Sequence, residues 1–202
     1  MAGRLFDAEP GCGGVVDLTM ARLAQEAGLA KGTLYLYFAT KEEIFLALVL
    51  DELRLWTDEL MAELQALPDP DPERVAQRLA QTLSAHTRLL RLLGILHPIL
   101  ERNLSPQALL AFKLDLVCLL DGPAAGLEAH LPGLGPGDGA RFFRRLHAIV
   151  IGLALSSRPS PAVAALLDRP ELTALRVDFA AELRAIVAAL LRGWSSPEAA
   201  HT

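Results

Sequence analysis

The sequence contains 202 residues, of which 52% are hydrophobic and 21% are charged, and its formal net charge is −5. This composition excludes a disordered chain, and the negative charge argues against non-specific coating of nucleic acid, although a specific DNA reader needs only a local basic face. Leu and Ala dominate the apolar residues, and this mixture favours helices over strands. We therefore predict an all-α fold.

Helical periodicity between Pro- and Gly-rich breaks predicts about nine or ten helices and no strand. Thr40 and Glu43 form a capping box, in which each side chain accepts a hydrogen bond from the other residue's amide. Asp138 is predicted to cap a later helix, an irregularity is predicted at Gly122–Pro123, and the last helix is predicted to stop at Gly193. The predicted helices lie near residues 18–27, 31–38, 40–67, 72–96, 98–103, 106–130, 141–155, 161–167 and 172–192.

We divide the chain into an amino-terminal head, residues 1–45, and a larger helical bundle body, residues 46–202. In the head, helical spacing places Leu23, Ala24 and Ala27 on one side of a short helix. Gly28 follows at the point where a tight turn needs a positive φ, and Leu29 is expected to fill the gap before the next helix. This spacing is typical of a helix-turn-helix, so we predict a three-helix head with a shortened first helix.

The second helix of this pair has an unusual outer face. Leu34 and Phe38 lie four residues apart and are expected to face the core. No carboxylate occurs between Lys31 and Thr40. A surface without repulsive charge and with hydroxyl donors suits close approach to a phosphate backbone and a DNA groove. From spacing alone, a helical hairpin within a core remains an alternative. The outer face consists of Gly32, Thr33 and Leu36, flanked by Tyr35 and Tyr37.

The stretch from Leu18 to about Leu50 resembles the DNA-binding domain of the tetracycline-repressor-like (TetR) family. The remaining helices match that family in number and order only. The resemblance rests on the run Ala-Gly-Leu-Ala-Lys-Gly-Thr-Leu-Tyr-Leu-Tyr-Phe-Ala-Thr-Lys-Glu-Glu-Ile-Phe. The residues at family positions are Ala24, Gly28, Gly32, Thr33, Tyr35, Tyr37, Phe38 and Lys41.

The resemblance implies a role in DNA binding for nine residues. It implies that a homodimer binds a palindromic double-stranded DNA operator, with its two recognition helices about 35 Å apart. The implied phosphate contacts are Thr33, Tyr37 and Lys41, with Thr19 and Arg22 reaching the DNA backbone from the preceding helix. The implied base-edge contacts are Lys31, Tyr35 and Leu36, with Gly32 allowing close approach.

The amino-terminal part of the sequence departs from the family pattern. Only residues 5–11 resemble the last turns of the family's first helix, and a Gly-rich turn follows to Val16. Residues 1–50 contain four basic residues (Arg4, Arg22, Lys31 and Lys41) and six acidic ones, a local charge of −2. A second interpretation therefore stays open, in which the chain is a dimeric helical ligand-binding or interaction protein with weakened or lost DNA binding.

The body contains two strongly apolar helices, near residues 146–155 and 172–191. A helix that is apolar nearly all round is buried on several sides. Either both helices lie within one subunit, or they pair with a second copy in a two-fold dimer, as the family resemblance implies. The residues that we assign to this dimer interface are Ile149, Leu153, Leu175, Phe179, Leu183, Ile186 and Leu190.

Polar and aromatic side chains within the apolar middle helices are candidates for a pocket that binds a small-molecule effector. A single His on an apolar helix is also commonly a hydrogen-bonded core residue, and Cys can act as a small hydrophobe. A basic cluster, Arg141, Arg144 and Arg145, either attracts an acidic ligand or is a solvated face. The candidates are His86, His97, Cys118 and His147, with Trp56, Phe112 and Phe143 as walls.

Other classes of function find no support in the sequence. No Gly-rich phosphate loop, nucleophile elbow or His-Glu-x-x-His motif is present, so we expect no enzyme activity and no cofactor. The spacing of the His and Cys residues predicts no metal site, and we expect a cytoplasmic protein that does not contact a membrane. The sequence thus predicts a transcriptional regulator, a repressor released by a small apolar or amphipathic effector.

Overall fold

The computed structural model describes residues 2–8 and 18–195, and within these ranges the chain is all-α, as the composition predicts. The head begins with α1 (Ala2–Ala8). The helix-turn-helix pair consists of α2 (Met20–Ala27) and α3 (Lys31–Tyr35). The Gly-rich turn that the sequence predicts before Val16 lies outside the described residues. A long helix, α4 (Lys41–Gln65), then leads from the head into the body.

The body contains six further α-helices within the described residues. Helix α5 lies against α4 and α10, and α8 lies against α6, α7 and α10. The six are α5 (Pro72–Ala85), α6 (Thr87–Ile95), α7 (Pro106–His130), α8 (Asp138–Ser156), α9 (Pro161–Leu167) and α10 (Phe179–Ser195).

Local capping explains why the head adopts its turn. The Thr19 hydroxyl accepts a hydrogen bond from the Arg22 amide and so begins α2. Gly28 ends it with φ of 65°, the left-handed conformation that the sequence predicts for this residue. The prediction for Leu29 is wrong, because its side chain is 45% exposed rather than packed between the helices.

The amino terminus of α4 is capped by Thr40, whose hydroxyl accepts from the Glu43 amide as predicted. The return bond of the predicted capping box differs, since the Glu43 carboxylate accepts from the Ala39 amide at 2.8 Å. Phe45 and Trp56 are both buried along α4, one in the head and one in the body. A single helix, α4, therefore contributes buried side chains to both the head and the bundle.

The predicted helix over residues 72–96 is in fact two helices. His86 interrupts it with ψ of 61°, a value that no helix tolerates, so α5 ends and α6 begins there. After α6, residues Leu96–Leu100 form a single π-helical turn, and Glu101–Asn103 form a 3-10 turn in place of the predicted short helix. Such π turns are rare, and they occur often at functional sites.

The α7–α8 hairpin corrects two further predictions. Pro123 lies inside α7 without ending it, so the predicted irregularity does not interrupt this helix. Asp138 is the first residue of α8 and not its cap, because Gly137 takes that position with φ of 88°. A side chain at Gly139 would overlap the backbone of Ala124, so the two helices approach closely here.

The chain between α8 and α10 projects from the bundle. The predicted last helix over residues 172–192 begins later, at Phe179, because Pro170–Leu175 form a 3-10 turn that packs against α9. The helix continues through Gly193 to Ser195. Within the described ranges, no single helix has the length and apolar character to cross a membrane, although α8 and α9, bent by 82°, meet that test as a pair.

Candidate DNA-binding surface and ligand cavity

The helix-turn-helix presents its predicted DNA contacts on its surface. Seven of the nine side chains are exposed, and Thr33 and Lys41 are half-buried. Leu36 is 82% exposed and Tyr37 is 75% exposed, the two highest values among the large apolar and aromatic side chains of the described chain. Leu34 is buried as predicted, while Phe38 is half-buried. The outer face of α3 is thus available to a partner.

The composition of this exposed face is unusual for a surface in contact with water only. The Lys31 ammonium lies 5.8 Å from the centre of the Tyr35 ring, which keeps the cation beside an aromatic face. Leu36 leaves 82% of its apolar side chain exposed. Apolar contact with a thymine methyl group in the major groove is a use for such a residue.

Gly32 is the smallest residue of this face. A Cβ atom added to it would have no neighbour within 4 Å, so packing within the chain does not require glycine at this position. Gly also lowers helix stability relative to Ala. Neither packing among the described residues nor helix stability therefore accounts for glycine at this position.

Residues 1–50 contain six acidic and four basic residues, but few of these acids leave a free carboxylate near this surface. Asp7 is paired with Arg88 of the body, Glu42 is buried, and Glu43 accepts the Ala39 amide. Two more, Glu9 and Asp17, lie outside the described residues. Of the six acidic residues, only Glu26 is described by the structure, exposed, and without a pairing or burial of this kind. The outer face of α3 carries the positive charge of Lys31, and no carboxylate lies beside it in the sequence.

A cavity of about 390 Å³ lies in the body between α4, α6, α7 and α8. This volume falls in the range of small-molecule sites. Most of its wall is apolar, with leucines from six elements and the rings of Trp56, Phe112 and Phe143. The Trp56 and Phe143 rings meet edge to face at 6.3 Å.

The structure brings together five of the seven side chains that the sequence suggested for an effector pocket. Two predictions are wrong. His86 hydrogen-bonds to the Glu59 carboxylate at 2.7 Å, away from the cavity, and Cys118 is exposed on the solvent side of α7. The five that line the cavity are Trp56, His97, Phe112, Phe143 and His147.

Two histidines and an ion pair form the polar end of this cavity. His97 Nε2 lies 3.0 Å from His147 Nε2, and His97 Nδ1 lies 2.8 Å from the Glu101 carboxylate. Lys113 donates to the same carboxylate at 2.5 Å. Burial opposes ionisation of Glu101, but the hydrogen bonds from Lys113 and His97 outweigh it and lower the pKa of Glu101. No group of three or more metal-ligating side chains occurs in the part of the chain that the structure describes.

The surroundings of His147 favour the neutral form of its imidazole. Burial lowers the pKa of His147, and Coulombic interactions with His97 and Lys113 lower it further, while Glu101 opposes this only in part. Lys113 and Arg144 also line the cavity, although neither is assigned to the pocket from the sequence. For Lys113 the signal was its spacing with Leu116, Leu120 and Ala124 on one face of α7.

Head and body meet through two arginines of α6. The Arg88 guanidinium donates to both oxygens of Asp7, with a shortest distance of 2.6 Å, and at 2.6 Å to Glu52 of α4. These bonds lower the pKa of Asp7 and raise the pKa of Arg88. Arg91 donates to the Phe6 carbonyl at 2.8 Å and lies 4.3 Å from the centre of the Phe6 ring. No local sequence pattern indicates these contacts, because their partners lie 36, 81 and 85 residues apart along the chain.

The residues assigned to a dimer interface differ in exposure. Leu183 is wrong as an interface residue, because it is fully buried within its own subunit and leaves no surface for a partner. Leu175 is 65% exposed but belongs to the 3-10 turn before α10. The others are half-buried or exposed along the adjacent helices α8 and α10: Ile149, Leu153, Phe179, Ile186 and Leu190.

A helix-turn-helix with an exposed outer face, joined to a helical body with a half-open apolar cavity, is typical of the class of DNA-binding transcriptional regulators. The model described as "Tetracyclin repressor-like, C-terminal domain" matches residues 50–198, and the model described as "Bacterial regulatory proteins, tetR family" matches residues 11–48. The chain belongs to this family, whose members are DNA-binding regulators, typically repressors, and not enzymes. No curated protein matches the chain.

Proposed function

We propose that this protein is a homodimeric repressor that binds a palindromic operator through α2 and α3 and releases it when a small apolar or amphipathic effector occupies the cavity. The observation that carries the proposal is the outer face of α3 and of the turn that follows it, where Lys31, Tyr35 and Leu36 are exposed beside an open Gly32. That face combines donors, an apolar contact and space for a groove.

The contacts divide into two kinds. Thr33, Tyr37 and Lys41, with Thr19 and Arg22 from α2, bind phosphates and set the orientation of the head on the duplex. Lys31, Tyr35 and Leu36 face base edges and supply the sequence preference. The Thr40-capped amino terminus of α4 adds backbone amides and a positive dipole end for a further phosphate.

Dimerisation uses the surface formed by α8 and α10. Ile149 and Leu153 on α8 lie beside Ile186 and Leu190 on α10, and each is only partly covered within the subunit. A two-fold pairing of this face covers these side chains in both copies. It also presents the two recognition helices to half-sites about one helical turn of DNA apart.

Helix α6 couples the cavity to the head. Leu89 and Leu93 line the cavity, whereas Arg88 and Arg91 bind α1 from the opposite side of the same helix. An effector that displaces α6 also displaces the arginines that hold α1. Such coupling requires that the effector binds the two arrangements with different affinity.

The test is selection of bound duplexes from a random DNA library by the full chain at low salt. We expect enrichment of a palindrome, with an affinity that falls steeply as salt increases. Lys31→Gln is expected to weaken the selected palindrome by about tenfold and random duplexes much less. The matched control is Arg78→Gln, which removes an exposed arginine of α5 that pairs with Glu63.

Enrichment of no sequence at low salt would reject operator binding. If the same preparation still binds small molecules, the alternative of a dimeric ligand-binding protein replaces this proposal. Equal losses for Lys31→Gln and Arg78→Gln would reject the assignment of α3 as the recognition helix.

A further inference from the structure

The apolar part of the cavity defines one half of its ligand. The Trp56 indole N–H donates to the Thr82 hydroxyl at 3.2 Å, so its polar atom is already satisfied within the protein. Phe112 and Phe143 are buried and present only carbon. An occupant of this end gains by burying apolar surface and finds few polar partners.

The three arginines at the start of α8 are not equivalent. Arg141 forms an ion pair with Asp138 at 2.8 Å, and the Arg145 guanidinium lies 4.7 Å from the centre of the Trp194 ring. Arg144 lines the cavity and has no ion pair or hydrogen bond within the described ranges. Of the cluster, it is therefore Arg144 that remains available to an anionic ligand.

The histidine pair leaves one hydrogen-bonding position open. The Glu101 carboxylate only accepts, so His97 donates to it from Nδ1. When His97 is neutral, its Nε2 accepts from His147 Nε2–H, and His147 Nδ1 is then an unprotonated acceptor. Nδ1 of His147 has no hydrogen-bond partner among residues 2–8 and 18–195.

Two cations and two carboxylates surround this histidine pair. Helices α4 and α6 contribute only apolar side chains to the cavity wall. Helix α7 contributes Lys113 and Asp121, and α8 contributes Arg144. Glu101 accepts from both Lys113 and His97, so the charge of Lys113 is already paired, and Arg144 is the cation of this wall that has no ion pair within the described ranges.

We propose that the effector of this cavity is an amphipathic carboxylate. Its apolar part packs against Trp56, Phe112 and Phe143, and its carboxylate binds at His147 and Arg144, which lie one helical turn apart on α8. This inference rests on the proposed ligand-binding function and names the chemical class of the ligand.

Binding of the carboxylate is accompanied by proton uptake. His147 Nδ1 takes a proton from solvent and donates it in a hydrogen bond to the carboxylate, while His147 Nε2–H continues to donate to His97. His97 keeps its Nδ1 proton on Glu101. The imidazolium and the carboxylate then form an ion pair, whose attraction offsets the desolvation penalty that otherwise favours neutral His147.

The test compares octanoate, octanol and octylammonium by calorimetry with the full chain near pH 7. We expect octanoate to bind about tenfold or more tighter than octanol, and octylammonium to bind most weakly. Repeating the octanoate titration in buffers of different ionisation enthalpy is expected to reveal net proton uptake, which octanol does not cause.

Three variants locate the carboxylate. Arg144→Gln is expected to weaken octanoate about tenfold and to leave octanol within about twofold. Arg141→Gln is the matched control, since its guanidinium already pairs with Asp138, and no change is expected. His147→Phe is expected to abolish the proton uptake.

Octanol or octylammonium binding as tightly as octanoate would overturn the carboxylate assignment but leave the cavity as a ligand site. Equal effects of Arg144→Gln and Arg141→Gln, or proton uptake that persists in His147→Phe, would likewise overturn it. If none of the three compounds binds, the ligand-binding half of the proposed function fails as well, whereas operator binding is decided by the DNA selection alone.

Discussion

The head and the body of this protein place their functional residues differently. In the head, the proposed contacts lie between Thr19 and Lys41, within a single stretch of sequence, and most are exposed. In the body, the cavity wall is assembled from elements between Leu53 and Val150, and its aromatic residues are buried. Substitutions in the head should therefore change DNA binding with little change in stability. Substitutions in the cavity wall should change both effector binding and stability.

Helix α6 contributes residues both to the cavity and to the contact with the head. Its leucines belong to the cavity wall and its arginines belong to the contact with α1. A change on either side of this helix is expected to reach the other region. The following predictions test the contrast between the regions, from the largest expected effect to the smallest.

Phe143→Ala should have the largest effect on stability. Phe143 is buried against Trp56 and Phe142, and loss of its ring removes apolar contacts on both sides. We expect the free energy of unfolding to fall by about 3 kcal/mol, measured by denaturant titration. Operator affinity of the folded protein should change little. A loss below about 1 kcal/mol would show that the wall is not packed as described.

Arg88→Met should lower the free energy of unfolding by about 2 kcal/mol, because Glu52 is buried and loses its partner. Arg88 lowers the pKa of Asp7, so the stabilisation from this pair is present above the usual pKa of Asp7 and is lost as pH falls through the lower value in the folded protein. The difference between wild type and variant should therefore narrow in acid. A pH-independent difference would contradict the role of Asp7.

The same variant tests the coupling through α6. Arg88→Met removes the bonds between α6 and α1 and leaves the cavity wall intact. Its operator affinity should respond less to effector than that of the wild type, measured by DNA binding with and without octanoate. An unchanged response would assign the coupling to another element, with α4 as the remaining helix that joins head and body.

The head could be predicted from sequence because its determinants are local. Gly28 ends α2 with a positive φ, and Thr19 and Thr40 cap helices within three residues of their partners. Leu29 was the exception: its position in the turn does not determine whether a neighbour covers it. Short-range hydrogen bonding sets the backbone, and the exposed face then follows from helical periodicity.

The body could be predicted only in part, since its site depends on contacts between distant segments. Five pocket residues were recognised as polar or aromatic side chains on apolar helices. His86 had the same local character, but its partner Glu59 lies 27 residues away. The arginines at the start of α8 gave no sequence signal to separate Arg144 from Arg141, because the difference lies in what each one contacts.

Tyr37→Phe should affect the head only. The side chain is 75% exposed, so loss of its hydroxyl removes no contact that stabilises the fold. We expect operator affinity to fall about fivefold, or about 1 kcal/mol, through a lost phosphate hydrogen bond. Fluorescence anisotropy with labelled operator measures the affinity, and thermal unfolding is the control. A shift in the unfolding midpoint would mean that Tyr37 packs within the head.

Gly32→Ala offers the sharpest separation of folding from binding, because its expected effects on stability and on operator affinity are both small and opposite in sign. A methyl group at this position meets nothing within 4 Å, and Ala is the better helix former, so we expect the free energy of unfolding to rise by about 0.5 kcal/mol. The same methyl group occupies the face that is proposed to approach the duplex most closely, so operator affinity should fall. A variant that is both more stable and weaker in DNA binding would show that Gly32 is suited to the duplex and not to the fold. Unchanged or tighter binding would mean that α3 approaches DNA through other residues.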